Sequence, residues 1–323
     1  MDGANPFPSA AMSSHLHLIS NPAAGRGRGA RAFPAAARSL ASIGSVTEHV
    51  TRAPGDERRL VRDALDQGAT TIAALGGDGT CSKVAAAMVE AGALCRFMPL
   101  AAGTGNDLAK SLGLPASDYA GMARIAEDGA DRLIDVGSVE GRLFVNSVGF
   151  GFDAAALAVA ERTPWLRGTA LYLYAALNLL FRYRGVRASV LPGDEAATPD
   201  PERHPAGGEP NLLLGLVVAN GSRFGGSFII APNARMDDGH LDLVTIADAP
   251  AVRRIGILNA AGRGTHLALA GIGSRHVSSV TLLFGEPPMY QIDGDLYRAR
   301  SQSVEVRCVP GALRVVAVPA PAT

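Results

Sequence analysis

The sequence predicts an α/β fold, with an N-terminal parallel-sheet nucleotide-type domain followed by a β-rich, antiparallel, sandwich-like domain. Three observations predict it. From His15 to about Leu133 short apolar runs alternate with helical patterns. From Arg142 onward strand-like runs dominate. Glycine-rich turns follow three of the early apolar runs, as strand-to-helix turns do in parallel sheets.

Taken in order, LHLIS, SVTEHVT, TTIAAL and FMPLA read as strands, and AFPAAARSLASIG, DERRLVRDALDQGA, CSKVAAAMVEAG and DLAKSLGL read as the helices between them. TTIAAL is apolar throughout, as a strand covered on both faces must be. In the second half LFVNSVGF, GVRASVLPG, LLLGLVVANG, HLDLVTIAD, VSSVTLLFG, SVEVRCV and ALRVVAV read as strands. Two helical segments interrupt them, ALYLYAALNLLFRYR after Gly168 and AVRRIGILNAAGRG after Pro250. The expected domains are therefore residues 15–133 and 134–323, preceded by a disordered tail over 1–14, with the C-terminal tail packing back on the first domain. Asp194 to Pro210 is polar and Pro-rich and reads as a flexible hairpin loop.

With 47% hydrophobic residues over 323 positions the chain can bury a sizeable core. Thirty basic and thirty acidic side chains cancel, so no overall field favours nucleic acid, and none is expected as a partner. Cys81, Cys95 and Cys308 show neither CxxC pairing nor the spacing of a secreted scaffold, which suggests the cytoplasm. The leader lacks a basic region and an apolar core, so no signal peptide is expected. LYLYAALNLLF is far shorter than the roughly 20 apolar residues that span a bilayer.

The first glycine turn is NPAAGRGRG, Asn21 to Gly29, where backbone amides can approach an anion at a helix start. An ordinary strand-to-helix turn with solvated arginines accounts for it equally well. The second, GGDGT, places Asp78 among Gly76, Gly77 and Gly79, with Thr80 able to cap the next helix. Asp78 reads either as a helix-start carboxylate or as a ligand to a nucleotide-borne magnesium ion. The third, GTGND, ends in Asn106 and Asp107, either of which can cap a helix. In a parallel sheet all three turns lie at the carboxyl edge, where open α/β folds bind ligands. None matches the Walker pattern, and the acidic residue of a dinucleotide fingerprint is missing from its usual place.

NPAAGRG, GGDGT and GTGNDLAKSLGLP, in this order and spacing, resemble the catalytic domain of the diacylglycerol kinase family, specifically the soluble bacterial lipid kinases related to sphingosine kinase. The resemblance runs on through LIDVG, NSVGFGFDA, NGSRFGG, APNARMDDGHLDLV and IDGDLY and covers nearly the whole chain after the tail. It implies ATP and Mg2+ as cofactors, and ATP and substrate meeting in a cleft between two domains. It also implies roles. Asn21, Pro22, Ala23, Ala24 and Gly25, with Gly76, Gly77, Asp78, Gly79, Thr80, Cys81 and Ser82, match the ATP-phosphate cradle, and Thr51 and Thr104 fall at further nucleotide contacts. Asp78, Asp107 and Asp135 match the acidic cluster around the catalytic magnesium. In IDGDLY the base that accepts the substrate proton is Asp295 or Asp293, Asp295 standing where relatives carry Glu. Asp238, with the carbonyls of Arg235 and His240, matches a second, structural magnesium site; a turn with solvated carboxylates is the plainer reading. Where many relatives carry Asn-Glu after GGDGT, this chain has Ser82 and Lys83, with Lys83 expected in solvent. Cys81, at a helix start, reads as a buried filler rather than an activated thiol.

The expected activity is ATP- and Mg-dependent phosphorylation of a lipid hydroxyl, most directly diacylglycerol or a related lipid alcohol, by an enzyme in the cytoplasm that visits the membrane surface. ALYLYAALNLLFRYR is a candidate slot lining, with Arg182 and Arg184 near headgroup level. An NAD kinase and a non-catalytic nucleotide-binding module of the same fold are the rivals. An exposed strand edge in the β-rich domain offers a route to a homodimer.

Overall fold

The computed structural model describes residues 15–128, 130–163, 179–192 and 210–318. Most of the expected helix ALYLYAALNLLFRYR and the whole loop Asp194 to Pro210, apart from its final proline, lie outside them. The chain divides into two units, one of Met1–Gly103, Gly113–Arg132 and Leu313–Thr323, the other of Thr104–Leu112 and Leu133–Ala312.

In the first unit β1 (His15–Ser20), β2 (Ser45–Val50), β3 (Thr71–Gly76) and β4 (Arg96–Ala101) run parallel in the order β2-β1-β3-β4. Every residue of β3 is buried, which explains the unbroken apolar run of TTIAAL. Helices α1 (Ala24–Ala41), α2 (Asp56–Asp66) and α3 (Asp78–Glu90) are the crossovers. Leu18, Ile19, Ile72, Leu75, Met88, Phe97 and Met98 are fully buried. Each such side chain contributes about 1.5–3 kcal/mol of burial free energy.

The end of the chain belongs to this unit. Val315 pairs in parallel with Phe97 of β4. Beside it Asp131, whose side chain is 3% exposed, accepts from Arg96 at 2.5 Å and from Arg314 at 2.5 Å. One carboxylate thus ties together the start of β4, the segment after α5 (Tyr119–Glu127) and the returning C-terminal strand.

The second unit is built from antiparallel pairs, among them β10 (Arg223–Phe224) with β11 (Phe228–Ile229). β7 (Ser147–Gly151) pairs with β9 (Asn211–Ala219) and with β15 (Met289–Ile292), and β15 pairs with β16 (Asp295–Arg298). β8 (Val186–Pro192) joins β9 to β14 (Ser279–Phe284), which pairs with the first half of β17 (Ser303–Val316). On its other edge β9 pairs with β12 (Leu241–Ala247), followed by β13 (Ile272–Val277). Phe150 stacks on Phe284 and Tyr290 at ring-centroid distances of 5.3 and 5.4 Å, inside an apolar core that includes Leu216, Val280, Leu282 and Val306. Helices α4 (Asp107–Ser111), α6 (Phe152–Glu161) and α7 (Ala251–Gly262) also belong to this unit.

Three local expectations change. SVEVRCV and ALRVVAV form one strand, β17, which passes through Pro310 and Gly311 without breaking. LFVNSVGF is interrupted at Val145 and Asn146 and contributes to two strands, β6 (Arg142–Phe144) and β7. Helix α5 and the hairpin β15–β16 stand where the sequence patterns gave no element.

Candidate active site

At the carboxyl edge of the first sheet the ends of β1, β3 and β4 are stitched together by backbone. The amide of Asn21 donates to Leu75 O at 2.9 Å, and that of Ala102 donates to Gly76 O at 2.7 Å. Gly25, Arg26 and Gly27 all have positive φ, 56°, 62° and 80°, so the nominal start of α1 is a left-handed loop rather than helix. A side chain at Gly25 is excluded twice, by φ and by Ala102 O, 2.5 Å from where a Cβ would stand. The loop offers main-chain surface to a ligand, as a phosphate cradle requires.

Asn21 organises both turns. Its Oδ1 accepts from the Ala23 amide at 3.1 Å, and its Nδ2 donates to Thr80 Oγ1 at 3.0 Å. Thr80 is the third residue of α3, whose N-cap is Gly77, so it does not cap that helix. Its side chain instead fills the space over Gly76, where a Cβ would meet it at 2.5 Å. Asp78 is the first helical residue and is half-buried. Cys81 is buried with its thiol pushed up by desolvation, which fits a filler and not a nucleophile. Ser82 Oγ is buried without a hydrogen-bond partner, and Lys83 is exposed. Thr51 follows β2, its amide donating to Ser20 O at 2.9 Å.

In the second unit Asp107 and Asp135 each fix a distant loop. Asp107 follows Asn106, the N-cap of α4, which makes no side-chain cap bond. Both Asp107 oxygens accept from the Gly226 amide, at 2.8 and 3.1 Å, while Lys110 Nζ donates to Gly226 O at 3.0 Å. Asp135 is 2% exposed. Its Oδ2 accepts from Gly239 and its Oδ1 from Gly311, both at 2.7 Å, and its own amide donates to Met236 O at 2.6 Å. The Arg235-to-His240 loop is therefore latched onto β5 (Asp131–Val139) at Asp135. Within that loop Asp238 Oδ1 accepts from the His240 amide at 3.0 Å. The buried Asn220 side chain donates through Nδ2 to the carbonyls of Asp135 and Val145, at 2.7 and 2.8 Å.

IDGD forms the two-residue turn between β15 and β16, with Ile292 opposite Asp295. Asp293 and Gly294 both have positive φ, 46° and 94°, the conformation of a type I′ hairpin turn. The Asp293 carboxylate accepts three amides, Val145 at 2.9 Å, Asn146 at 3.0 Å and Ser147 at 2.8 Å. It is thus the clamp of the turn that splits LFVNSVGF. Asp295 lies two residues on, half-buried, at the first position of β16.

One further group, Asp153 of NSVGFGFDA, bears on this turn, and the sequence alone assigns it no role. Asp153, in the first turn of α6, has a dry Oδ2 facing Gly149, where any side chain would collide with it. Gln291 lies alongside, its Oε1 accepting from the Gly294 amide at 2.8 Å. The Asp153 carboxylate and Gln291 Nε2 are neighbours without a well-formed hydrogen bond between them. Burial pushes the Asp153 carboxyl up to about 6, opposed by the amides of Ala154 and Asp153 and by the Gln291 side chain.

Among the described residues no three His, Cys, Asp or Glu side chains converge as a metal site. A nucleotide-borne Mg2+ does not need such a cage, since it binds through one or two carboxylates together with phosphates and water. Asp78, half-buried beside the glycine loops, fits that description. Asp107 and Asp135 are buried and already hold backbone amides.

Comparison with known proteins fits this architecture. Residues 15–139 match the family model described as diacylglycerol kinase catalytic domain, and residues 146–317 match the one described as YegS C-terminal NAD kinase beta sandwich-like domain. A Pseudomonas aeruginosa protein named "Probable lipid kinase YegS-like" is 34% identical over 269 residues, 82% of each chain. A Mycobacterium tuberculosis protein named diacylglycerol kinase is 28% identical over 307 residues, 92% of this chain and 93% of that one. A solved diacylglycerol kinase from Bacillus anthracis has the same fold, with a TM-score of 0.70 at 17% identity, covering 96% of this chain and 98% of that one. The chain belongs to the diacylglycerol kinase catalytic-domain family of lipid kinases, phosphotransferases that use an alcohol as acceptor. No helix among the described residues is long and apolar enough to cross a membrane.

Proposed function

We propose that the protein transfers the γ-phosphoryl group of ATP to the hydroxyl of a lipid, diacylglycerol or a related lipid alcohol, with Asp295 as the general base. The observation that carries the choice of base is the occupation of Asp293 by three backbone amides, which makes it the clamp of the catalytic turn. Asp295 is held at the start of β16 by that same two-residue turn. It takes the hydroxyl proton as the lipid oxygen attacks the γ-phosphorus, the bond to the bridging oxygen breaks and ADP leaves.

The left-handed loop at Gly25 to Gly27 and the turn from Gly76 to Ser82 supply main-chain surface for the phosphates, and Thr51 and Thr104 are further nucleotide contacts. Mg2+ carried by the nucleotide would be held by Asp78 and would supply charge neutralisation at the phosphates. Asp107 and Asp135 contribute fixed negative charge and hold the loops at Gly226 and Gly239. The Asp238 loop, with the Arg235 and His240 carbonyls, would hold a second, structural Mg2+. The setting is the cytoplasmic face of a membrane, reached transiently.

The test is transfer of labelled γ-phosphate from ATP-Mg to diacylglycerol, a sphingoid base, a polyprenol and NAD, each in detergent micelles. Labelled lipid supports the reading and identifies its acceptor. Labelled NADP would move the assignment to an NAD kinase, and ATP binding with no product would leave a nucleotide-binding module.

A further inference from the structure

The two segments 179–188 and 247–263 hold six arginines, Arg182, Arg184, Arg187, Arg253, Arg254 and Arg263, against a single acid, Asp248. The chain as a whole carries thirty of each sign, so this excess is local. The one acid is neutralised within the group, because Arg254 Nη2 meets Asp248 Oδ1 at 2.7 Å.

Large apolar side chains project from the same place. Phe181 is 73% exposed, Leu212 42%, Val252 82% and Ile255 51%. Leu212 stands directly opposite Arg187 across the β8–β9 pair, so the two share a sheet face, and both are exposed. Phe181, Leu212, Pro250 and Ala251 rim an open depression of about 490 Å³ with the Asp248–Arg254 pair at its polar side.

The patch is also rigid. Arg254, 6% exposed, donates to the carbonyls of Leu180 at 2.8 Å and Tyr183 at 2.9 Å. That buried guanidinium fastens the 179–184 segment to the first turn of α7, so Phe181 shares the rim of the depression with Pro250 and Ala251, next in sequence to Val252. Apolar side chains on a rigid base, interspersed with exposed arginines whose one acid in these two segments is already paired, match a bilayer interface. The apolar tips enter the acyl boundary while the guanidinium groups meet anionic headgroups.

We propose that this face, Phe181, Leu212, Val252 and Ile255 with Arg182, Arg184, Arg187 and Arg253, docks the protein on the surface of an anionic lipid bilayer. It rests on the lipid-kinase reading for its purpose, since it brings the enzyme to its acceptor. Docking is measured without nucleotide or turnover, so the two readings fail separately.

The experiment is flotation of the full chain with mixed phosphatidylserine–phosphatidylcholine vesicles and with pure phosphatidylcholine vesicles. Expected is co-flotation with the anionic vesicles only, weakened by salt. Val252→Glu/Ile255→Glu should reduce partitioning by at least about tenfold, and Arg253→Ser by about fivefold. If the glutamate pair unfolds the chain, Val252→Ser/Ile255→Ser is measured instead, with a thermal midpoint as the folding check. Wild-type protein that ignores both vesicles, that binds them equally, or whose binding survives the folded variants would overturn the proposal. So would self-association without vesicles that the same substitutions abolish, because the face would then be a contact between copies.

Discussion

Asp293 and Asp295 differ in what surrounds them rather than in chemistry. Three amide donors make Asp293 a structural anion, whereas Asp295 takes its position from the turn. Asp295→Asn should lower kcat by about 10²–10⁴-fold with the thermal midpoint unchanged. Asp293→Ala strands three amides, each charge-assisted bond being worth about 1.5–3 kcal/mol, and should lower stability and activity together. Asp153 gives a pH test. Its folded carboxyl is raised to about 6, so the folded state holds the proton more tightly than the unfolded chain does. The cost of ionising it builds as pH rises from the unfolded value towards 6 and is complete above. Asp153→Asn should therefore stabilise the protein at pH 8 by about 2–4 kcal/mol, and the gain should shrink between pH 6 and pH 4, as read by urea titration across pH. IDGD revealed both candidate bases, but the donors that separate them lie at Val145 to Ser147, remote in sequence. The sequence alone assigns Asp153 no role for the same reason, since its burial depends on Gly149 and Gln291.

At the level of elements, the returning strand and the first sheet carry the clearest energetic tests. Asp131 pairs with Arg96 and Arg314, so Asp131→Asn leaves two largely buried guanidinium groups short of their carboxylate. A loss of about 3 kcal/mol in a denaturant titration is expected. His17 on β1 and His49 on β2 stack at 5.2 Å, with ring nitrogens 2.9 Å apart. Burial lowers both, and the neighbouring His49 and His15 lower His17 further, so the folded sheet favours the neutral rings. Stability from this pair is complete above pH 6.5 and is lost as pH falls below it, because the unfolded chain takes up protons there first. His49→Gln should flatten the pH dependence of stability between pH 7 and 5. β1, β3 and β4 were readable because each is a largely apolar run closed by a glycine turn, and β2 because it falls in the alternation of strands and helices. The β15–β16 hairpin was not, since its strands have four residues each and offer too little periodicity. Pro310 and Gly311 suggested a break in β17, yet the strand continues, and the Gly311 amide is satisfied by the Asp135 carboxylate.

For the molecule as a whole, the residues proposed to cradle the phosphates, from Asn21 to Ser82, belong to one unit, and Asp107, Asp135, Asp293 and Asp295 belong to the other. The family was readable because its motifs recur along most of the chain. The bonds that engage Asp107, Asp135 and Asp293 were not, because each joins residues far apart in sequence. Chelation of Mg2+ should abolish phosphoryl transfer while leaving the far-ultraviolet circular dichroism spectrum unchanged, because the proposed metal travels with the nucleotide. The most direct measurement is single-turnover transfer of labelled γ-phosphate to diacylglycerol, comparing the parent chain with Asp295→Asn and Asp293→Asn at matched folded fraction. Labelled lipid from the parent, none from Asp295→Asn and a reduced but measurable yield from Asp293→Asn is the result this account predicts. Unimpaired transfer by Asp295→Asn alongside a dead Asp293→Asn would contradict it.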